Sequence, residues 1–370
     1  MFKAVAGYYK DNERLRLLVK IIAVWLISRA VMLLMVPVMN LIADEPHQWL
    51  YYMNPWDAEW YKGIVENGYQ PPKSSGMASW AFFPLYPLVC MAVRLVTMGS
   101  IDTYAVGMTV SNICIIIAVY YAVKYADIEL DMKKYNKKTV EDIIIFLMLA
   151  GPFAVYYGAM YTEALFILCV ILCFYNSARH NYMAAGIAAA MASATRIVGC
   201  MLVFVLITYM FMETCAECRA KHNSEMKDNK EAGIIDKCML TEEAGILIAG
   251  NISLASVIRT FIKNVIKEPK KLVAIMISPL GIFIYMNYLR YFCGDSWAFY
   301  HVQRAWRTQK MFPVIGVLFK SCTGQLSAAS GVKTLNGIIL GWLCVITLML
   351  YAAMIRKKHY ALGIFGIIVL

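Results

Sequence analysis

Seven long apolar runs decide the architecture before any other feature is read. Residues 17–43, 103–123, 142–155, 163–176, 183–212, 272–289 and 335–354 are dominated by aliphatic, methionine and aromatic side chains. A helix needs about 20 such residues to cross a hydrocarbon layer of roughly 30 Å, and most of these runs reach or approach that length. No water is present at that depth to satisfy backbone N–H and C=O groups, so a chain with this pattern spans the layer as helices. Composition agrees: 16% of the residues are charged and 61% are hydrophobic, against about 25% charged in soluble domains. The expected fold class is all-α, a polytopic transmembrane helical protein forming one domain over residues 1–370. The run at 142–155 is short for a span unless it continues through Gly151 and Pro152. The last ten residues, "ALGIFGIIVL", open a further apolar segment that stops short; the natural chain is expected to extend beyond Leu370.

Charge orients the spans. The net charge of +11 would suggest nucleic acid in a soluble protein, but Lys and Arg collect in cytoplasmic loops of membrane proteins, and no nucleic-acid partner is expected. Five basic residues fall in the first 20 positions, five lysines in 124–138, and eight Lys with two Arg in 213–271. These three segments are assigned to the cytoplasm. The stretch 45–79 has two basic and four acidic residues and is assigned to the outer or lumenal face. The prolines of "FFPLYPLV" favour a bent, interfacial or re-entrant piece over a straight span for 80–99. The stretch 156–163 and the segment 293–307 then fall outside, and two short helices meet near Arg196 at that same face. The cytoplasmic loop at about 213–271 is expected to be partly helical and amphipathic. Eleven cysteines lie mostly within apolar runs, with no disulfide or zinc spacing; "CAEC" at 215–218 lacks a second pair. The first apolar run has no small-residue cleavage site, so no cleavable signal peptide is expected.

This topology gathers an unusual set of polar side chains on one face. "NPWDAEWYKG" places Asp57 and Glu59 between Trp56 and Trp60, and Tyr161, Glu163, Arg196, His301, Gln303, Arg304 and Arg307 follow on the same side. An acid beside the bilayer can act as general base on a hydroxyl. Arginine forms bidentate contacts with phosphate, and tryptophan faces suit sugar rings. The plainer alternatives are that Asp57 caps a helix or pairs with Lys62, that Glu163 caps the helix after it, and that Arg196 pairs with a neighbouring helix. His301, Arg304 and Arg307 would equally fit an interfacial helix anchored by Trp297 and Trp306.

The blocks "WDAEWYKGIVENGY", "AFFPLYPL", "MYTEALF", "SATRIVG" and "FYHVQRAWR" occur in this order and resemble the motif series of PIG-V-type mannosyltransferases. That group comprises the GPI mannosyltransferase 2 family with its bacterial relatives, in the GT-C superfamily. The chain reads "TRIVG" where members commonly carry "TRSNG". The resemblance implies a GT-C fold and transfer of mannose, with inversion, from polyprenyl- or dolichyl-phosphate mannose to a glycolipid or glycan hydroxyl. Asp57 matches the first-loop acid and is the expected base, with Glu59 beside it. Arg196, His301, Arg304 and Arg307 are the expected partners of the leaving lipid phosphate. No cofactor is implied beyond the lipid-phosphate sugar as co-substrate, and no metal, since a lipid monophosphate leaves rather than a nucleotide diphosphate. A secondary transporter or flippase is the rival reading, because intramembrane charges and broken helices occur there too; the absence of matching halves counts against it. A non-catalytic assembly factor is a further rival. The lysine load and short loops favour a bacterial plasma membrane over the endoplasmic reticulum.

Overall fold

The computed structural model describes residues 12–42, 48–72, 76–130, 132–231, 253–305, 314–323 and 331–369. Every regular element among them is helical. Four helices are long and apolar enough to cross a membrane: Glu13–Ile42 (α1), Thr103–Glu129, Ile197–Ser224 and Gly337–Arg356; the consecutive apolar helices Pro269–Ile277 and Leu280–Cys293 make a fifth if taken as one broken span. The protein is an all-α, polytopic integral membrane protein.

The chain divides into two compact units, Met1–Cys200 with Ile277–Trp306, and Met201–Met276 with Arg307–Leu370. In the first, α1 is followed by the short helices Trp49–Met53 (α2) and Ala58–Asn67 (α3), a 3-10 turn at Ser79–Ala81 and α4 at Leu85–Val96. At 12 residues, α4 is about 18 Å long, too short to cross. The expectation of a bent, non-spanning piece therefore matches the geometry. Thr103–Glu129 (α5) begins at a side-chain cap, Asp102 accepting from the Tyr104 and Ala105 amides. Lys137–Leu149 (α6) is capped by Asn136 in the same way.

Helix α6 has only 13 residues, about 20 Å, and the chain from 150 to 162 forms turns rather than helix. Glu163–Ala178 (α7) then packs against α5, and Tyr182–Thr195 (α8) packs in turn against α7. The alanines of α8 are fully buried (Ala185, Ala189 and Ala192 at 0% exposure). Small residues there let α7 and Leu280–Cys293 approach α8 closely. Near the N-termini of α1 and α6, Lys20 pairs with Asp142 and Lys137 with Glu13. These pairs join α1 to α6 where the charge rule places the inner surface.

The turn segment 150–162 bonds part of its own backbone, as in the Ala154 amide to the Gly151 carbonyl and the Ala159 amide to the Val155 carbonyl, and side chains from its neighbours hold more of it. Ser28 donates to the Leu149 carbonyl at 2.5 Å, Asn112 donates to the Gly158 carbonyl at 3.2 Å, and the Met160 amide donates to Asn54 Oδ1 at 2.7 Å. Ser111 adds a bond to the Tyr161 carbonyl at 3.3 Å. Gly107 lets the segment press onto α5: a β-carbon there would lie 2.2 Å from the Met160 side chain. Non-helical backbone at membrane depth is tolerated where protein groups satisfy it.

In the second unit, Leu202–Glu231 (α9) runs on from the apolar layer, and Leu254–Lys267 (α10) packs against it through Phe211 and Phe261, their rings 5.6 Å apart. The exposed residues Leu254, Ile258, Ile262 and Ile266 recur every fourth position, giving α10 the apolar stripe of an interfacial helix. Lys271 on Pro269–Ile277 (α11) is buried and paired with Glu213 at 3.0 Å and Glu268 at 2.8 Å. The remaining elements are Leu280–Cys293 (α12) and Ala298–His301 (α13) in the first unit, and Val314–Cys322 (α14), Gly331–Arg356 (α15) and Tyr360–Val369 (α16) in the second.

Candidate functional site

Asp57 stands at the N-cap position of α3, yet its side chain makes no capping bond. Lys62, the other conventional partner, lies over the Tyr104 ring at 5.0 Å. Among the described residues the Asp57 carboxylate has no hydrogen-bond or ion-pair partner, although its backbone is held firmly. The Tyr161 hydroxyl donates to the Pro55 carbonyl at 2.5 Å and accepts from the Asp57 amide at 3.1 Å. One hydroxyl thus staples both sides of Trp56, whose φ of +49° lies in the left-handed region. A bulky side chain is rarely found in that region, and the conformation costs of order 1–3 kcal/mol. The turn aims Asp57 along the start of α3 and leaves Trp56 74% exposed.

Two residues past Tyr161, Glu163 opens α7 and meets Arg196, Nη1 to Oε1 at 2.6 Å. Arg196 is the C-cap of α8 and is in extended conformation (φ −153°, ψ 145°), between α8 and the 3-10 turn Ile197–Met201. The break between the two helices therefore brings the guanidinium to Glu163 instead of leaving it in mid-helix. Its side chain remains 42% exposed, so the pair keeps an open side. Tyr61 and Thr162 hydroxyls approach to 3.4 Å behind them. Protein crowding raises the Asp57 carboxyl above its ordinary value, first by withdrawing water and then through the nearby negative charge of Glu163; Arg196 opposes both. Asp57, Glu163 and Arg196 thus form one electrostatic unit. Ser111, about two turns or roughly 12 Å along α5 from its first residue, donates to the Tyr161 carbonyl.

A free, destabilised carboxylate beside a part-open arginine is the equipment for deprotonating a hydroxyl next to an anion. The family model Mannosyltransferase (PIG-V) matches residues 14–232. This chain belongs to the PIG-V mannosyltransferase family. Comparison with curated proteins and with solved structures gives no match. The stretch matched contains four of the five motif blocks, with Asp57, Tyr161, Glu163 and Arg196 among them; "FYHVQRAWR" lies beyond it.

The other expected site residues of this PIG-V mannosyltransferase divide between the neighbourhood of that centre and the segment 298–305. Glu59 accepts a hydrogen bond from the Tyr104 hydroxyl on α5, so it is engaged where Asp57 is free. Trp60 stacks on Phe82 with ring centres 5.6 Å apart, and one of its faces is thereby occupied. His301 pairs with Asp295, Nδ1 to Oδ2 at 2.7 Å, and this bond holds the Asp295 carboxyl below its ordinary value. Gln303 and Arg304 follow in the 3-10 turn Val302–Ala305, where Arg304 is exposed. That segment is joined to α3 through aromatics: Tyr61 meets Phe82 at 5.1 Å, and Phe83 meets Phe299 at 5.3 Å. The structure therefore brings Asp57, Tyr161, Glu163 and Arg196 together, and sets His301, Gln303 and Arg304 on the far side of the aromatic cluster. Arg307 and Trp306 lie outside the described residues.

Asn54, Tyr104, Ser111, Thr162 and Asp295 serve the site and were not singled out by sequence. Their partners are distant in the chain, and single polar residues near apolar runs give no periodic signal. Asn54 had one local hint, since an Asn-Pro dipeptide marks a turn.

Proposed function

We propose that this mannosyltransferase takes mannose from a polyprenyl- or dolichyl-phosphate mannose and transfers it, with inversion, to a hydroxyl of a glycolipid or glycan. The observation that carries the reading is the Asp57 carboxylate, unpartnered among the described residues and held by its backbone beside the Glu163–Arg196 pair. Asp57 removes the acceptor hydroxyl proton as that oxygen attacks the anomeric carbon. The bond from that carbon to the phosphate oxygen breaks, and its electron pair leaves with the lipid phosphate. Arg196 meets the charge that develops there, with Glu163 fixing its orientation. Exposed Trp56 offers a ring face to the sugar, and Trp60 backs the acceptor side. His301, Gln303 and Arg304 are assigned to the lipid phosphate as it enters or departs, and Glu59 to the Tyr104 contact that steadies α3. A monophosphate leaving group needs no metal in this scheme. A GT-C architecture and a bacterial plasma membrane, the latter supported by the short, lysine-rich inner loops, complete the reading.

The test is mannose transfer by the purified protein in lipid nanodiscs. Radiolabelled polyprenyl-phosphate mannose is the donor and a crude lipid extract supplies acceptors, with donor binding measured separately. Asp57→Asn should retain binding and lose about 10²–10⁴ in rate, the usual worth of a general base. Equal transfer by both proteins removes Asp57 from the mechanism, and failure of the wild type to bind the donor refutes the donor assignment.

A further inference from the structure

Arg29 is placed near the middle of α1, a helix apolar enough to span the membrane, and is only 9% exposed. Among the described residues no carboxylate pairs with it. Its Nη1 donates to the Ala154 carbonyl at 2.9 Å and lies 3.0 Å from the Met32 sulfur, while Nε and Nη2 are buried without a partner among the described residues. A cation buried in an apolar layer is costly, and such residues are retained where they serve a site. Stabilising α1 would not require one, since a leucine at this position would pack at lower cost.

The segment that receives Arg29 is built around it. Gly158 has no β-carbon, and one added there would lie 2.3 Å from Nη1 and 2.8 Å from Cζ of Arg29. The guanidinium therefore fills the hollow that this glycine leaves. Ser28 and Asn112 hold the carbonyls of Leu149 and Gly158 on either side of the Ala154 bond. Three residues past Gly158 stands Tyr161, whose hydroxyl fixes both the Pro55 carbonyl and the Asp57 amide.

We infer that Arg29 is a positioning residue for the transfer reaction: seated against Gly158 and bonded to Ala154, it fixes the turn segment 150–162 and, through Tyr161, the placement of Asp57. The inference rests on the mannosyl-transfer reading for its kinetic consequence, but its structural half is independent of any activity.

Full-length wild type, Arg29→Lys, Arg29→Met, Gly158→Ala and the double variant Arg29→Met/Gly158→Ala are compared in nanodiscs. Amide hydrogen exchange is followed by peptide, beside steady-state transfer from radiolabelled polyprenyl-phosphate mannose. Arg29→Met and Gly158→Ala should each speed exchange within 150–161 by about tenfold while peptides from α5 and α7 stay unchanged. In both, kcat should fall about tenfold with the donor KM held within about twofold, as expected when a reacting group is displaced but donor binding is kept. Arg29→Lys, which restores one donor, should recover part of each loss. The double variant should be no worse than the poorer single one, since both changes break one contact. Unchanged exchange in 150–161, loosening spread evenly over α5 and α7, or losses that multiply in the double variant would each overturn the proposal. Should Arg29→Met not fold, Gly158→Ala and Arg29→Lys decide the same question. Altered exchange with no transfer even by wild type would refute the reaction reading and leave the strut intact.

Discussion

Tyr161→Phe removes one oxygen atom and should cost most of the activity. The ring stays packed against Tyr156 and Tyr61, at 5.6 and 6.3 Å between centres, so the change acts through the hydroxyl alone. That hydroxyl makes two bonds, to the Pro55 carbonyl and from the Asp57 amide, each worth about 1 kcal/mol net. Between them sits Trp56 in a left-handed conformation, which stores roughly 1–3 kcal/mol that a freed loop would release. Losing the staple therefore tilts the loop towards a relaxed arrangement by about 2 kcal/mol, which corresponds to about 30-fold in the population that presents Asp57 correctly. The expected result is a fall in kcat approaching 30-fold at saturating donor, with the donor KM nearly unchanged. Steady-state transfer in nanodiscs reads both constants. A kcat within about twofold of wild type, or a rise confined to KM, would refute the idea that Tyr161 holds the catalytic loop.

Three further outcomes follow from the same electrostatics. Asp57 has its folded-state pKa raised, by desolvation first and then by Glu163, so its ionised form costs stability above that pKa and the cost disappears as pH falls through it. Asp57→Asn should accordingly lose about 10²–10⁴ in transfer rate and yet raise the thermal midpoint at neutral pH; a lower midpoint would contradict the raised pKa. The acid limb of the rate profile should lie above the ordinary carboxylate range, because the base must be ionised to act. Glu163→Gln should move that limb to lower pH and Arg196→Gln to higher pH, since the two charges act on Asp57 in opposite senses; shifts in the same direction would show that another group titrates. At the start of α6, Lys137→Gln breaks an exposed pair with Glu13 and should change stability by less than about 1 kcal/mol with full transfer. A large loss in either readout would mean that the inner ion pairs reach the site.

The apolar runs alone determined that this chain is a bundle of membrane helices, because backbone without water has no other solution. Charge bias likewise assigns Asp57, Glu163 and Arg196 to the face opposite the lysines at 20 and 137; the structure joins Glu163 to Arg196 and, separately, Lys20 to Asp142 and Lys137 to Glu13. The motif series reached the family, since residue order is preserved in sequence. What the linear pattern did not contain was who holds whom. The Tyr161 staple joins residues 104 to 106 positions apart, and Arg29 reaches Ala154 across 125 positions. Neither contact leaves a trace in periodicity or spacing. The motif series named Asp57 as the base with Glu59 beside it, but only the packing of α3 against α5 engaged Glu59 with Tyr104 and left the Asp57 carboxylate without a partner among the described residues. Helix formation and membrane insertion are governed by local composition, but the freedom of a carboxylate depends on which distant groups come within about 3 Å of it, and only the tertiary structure decides that.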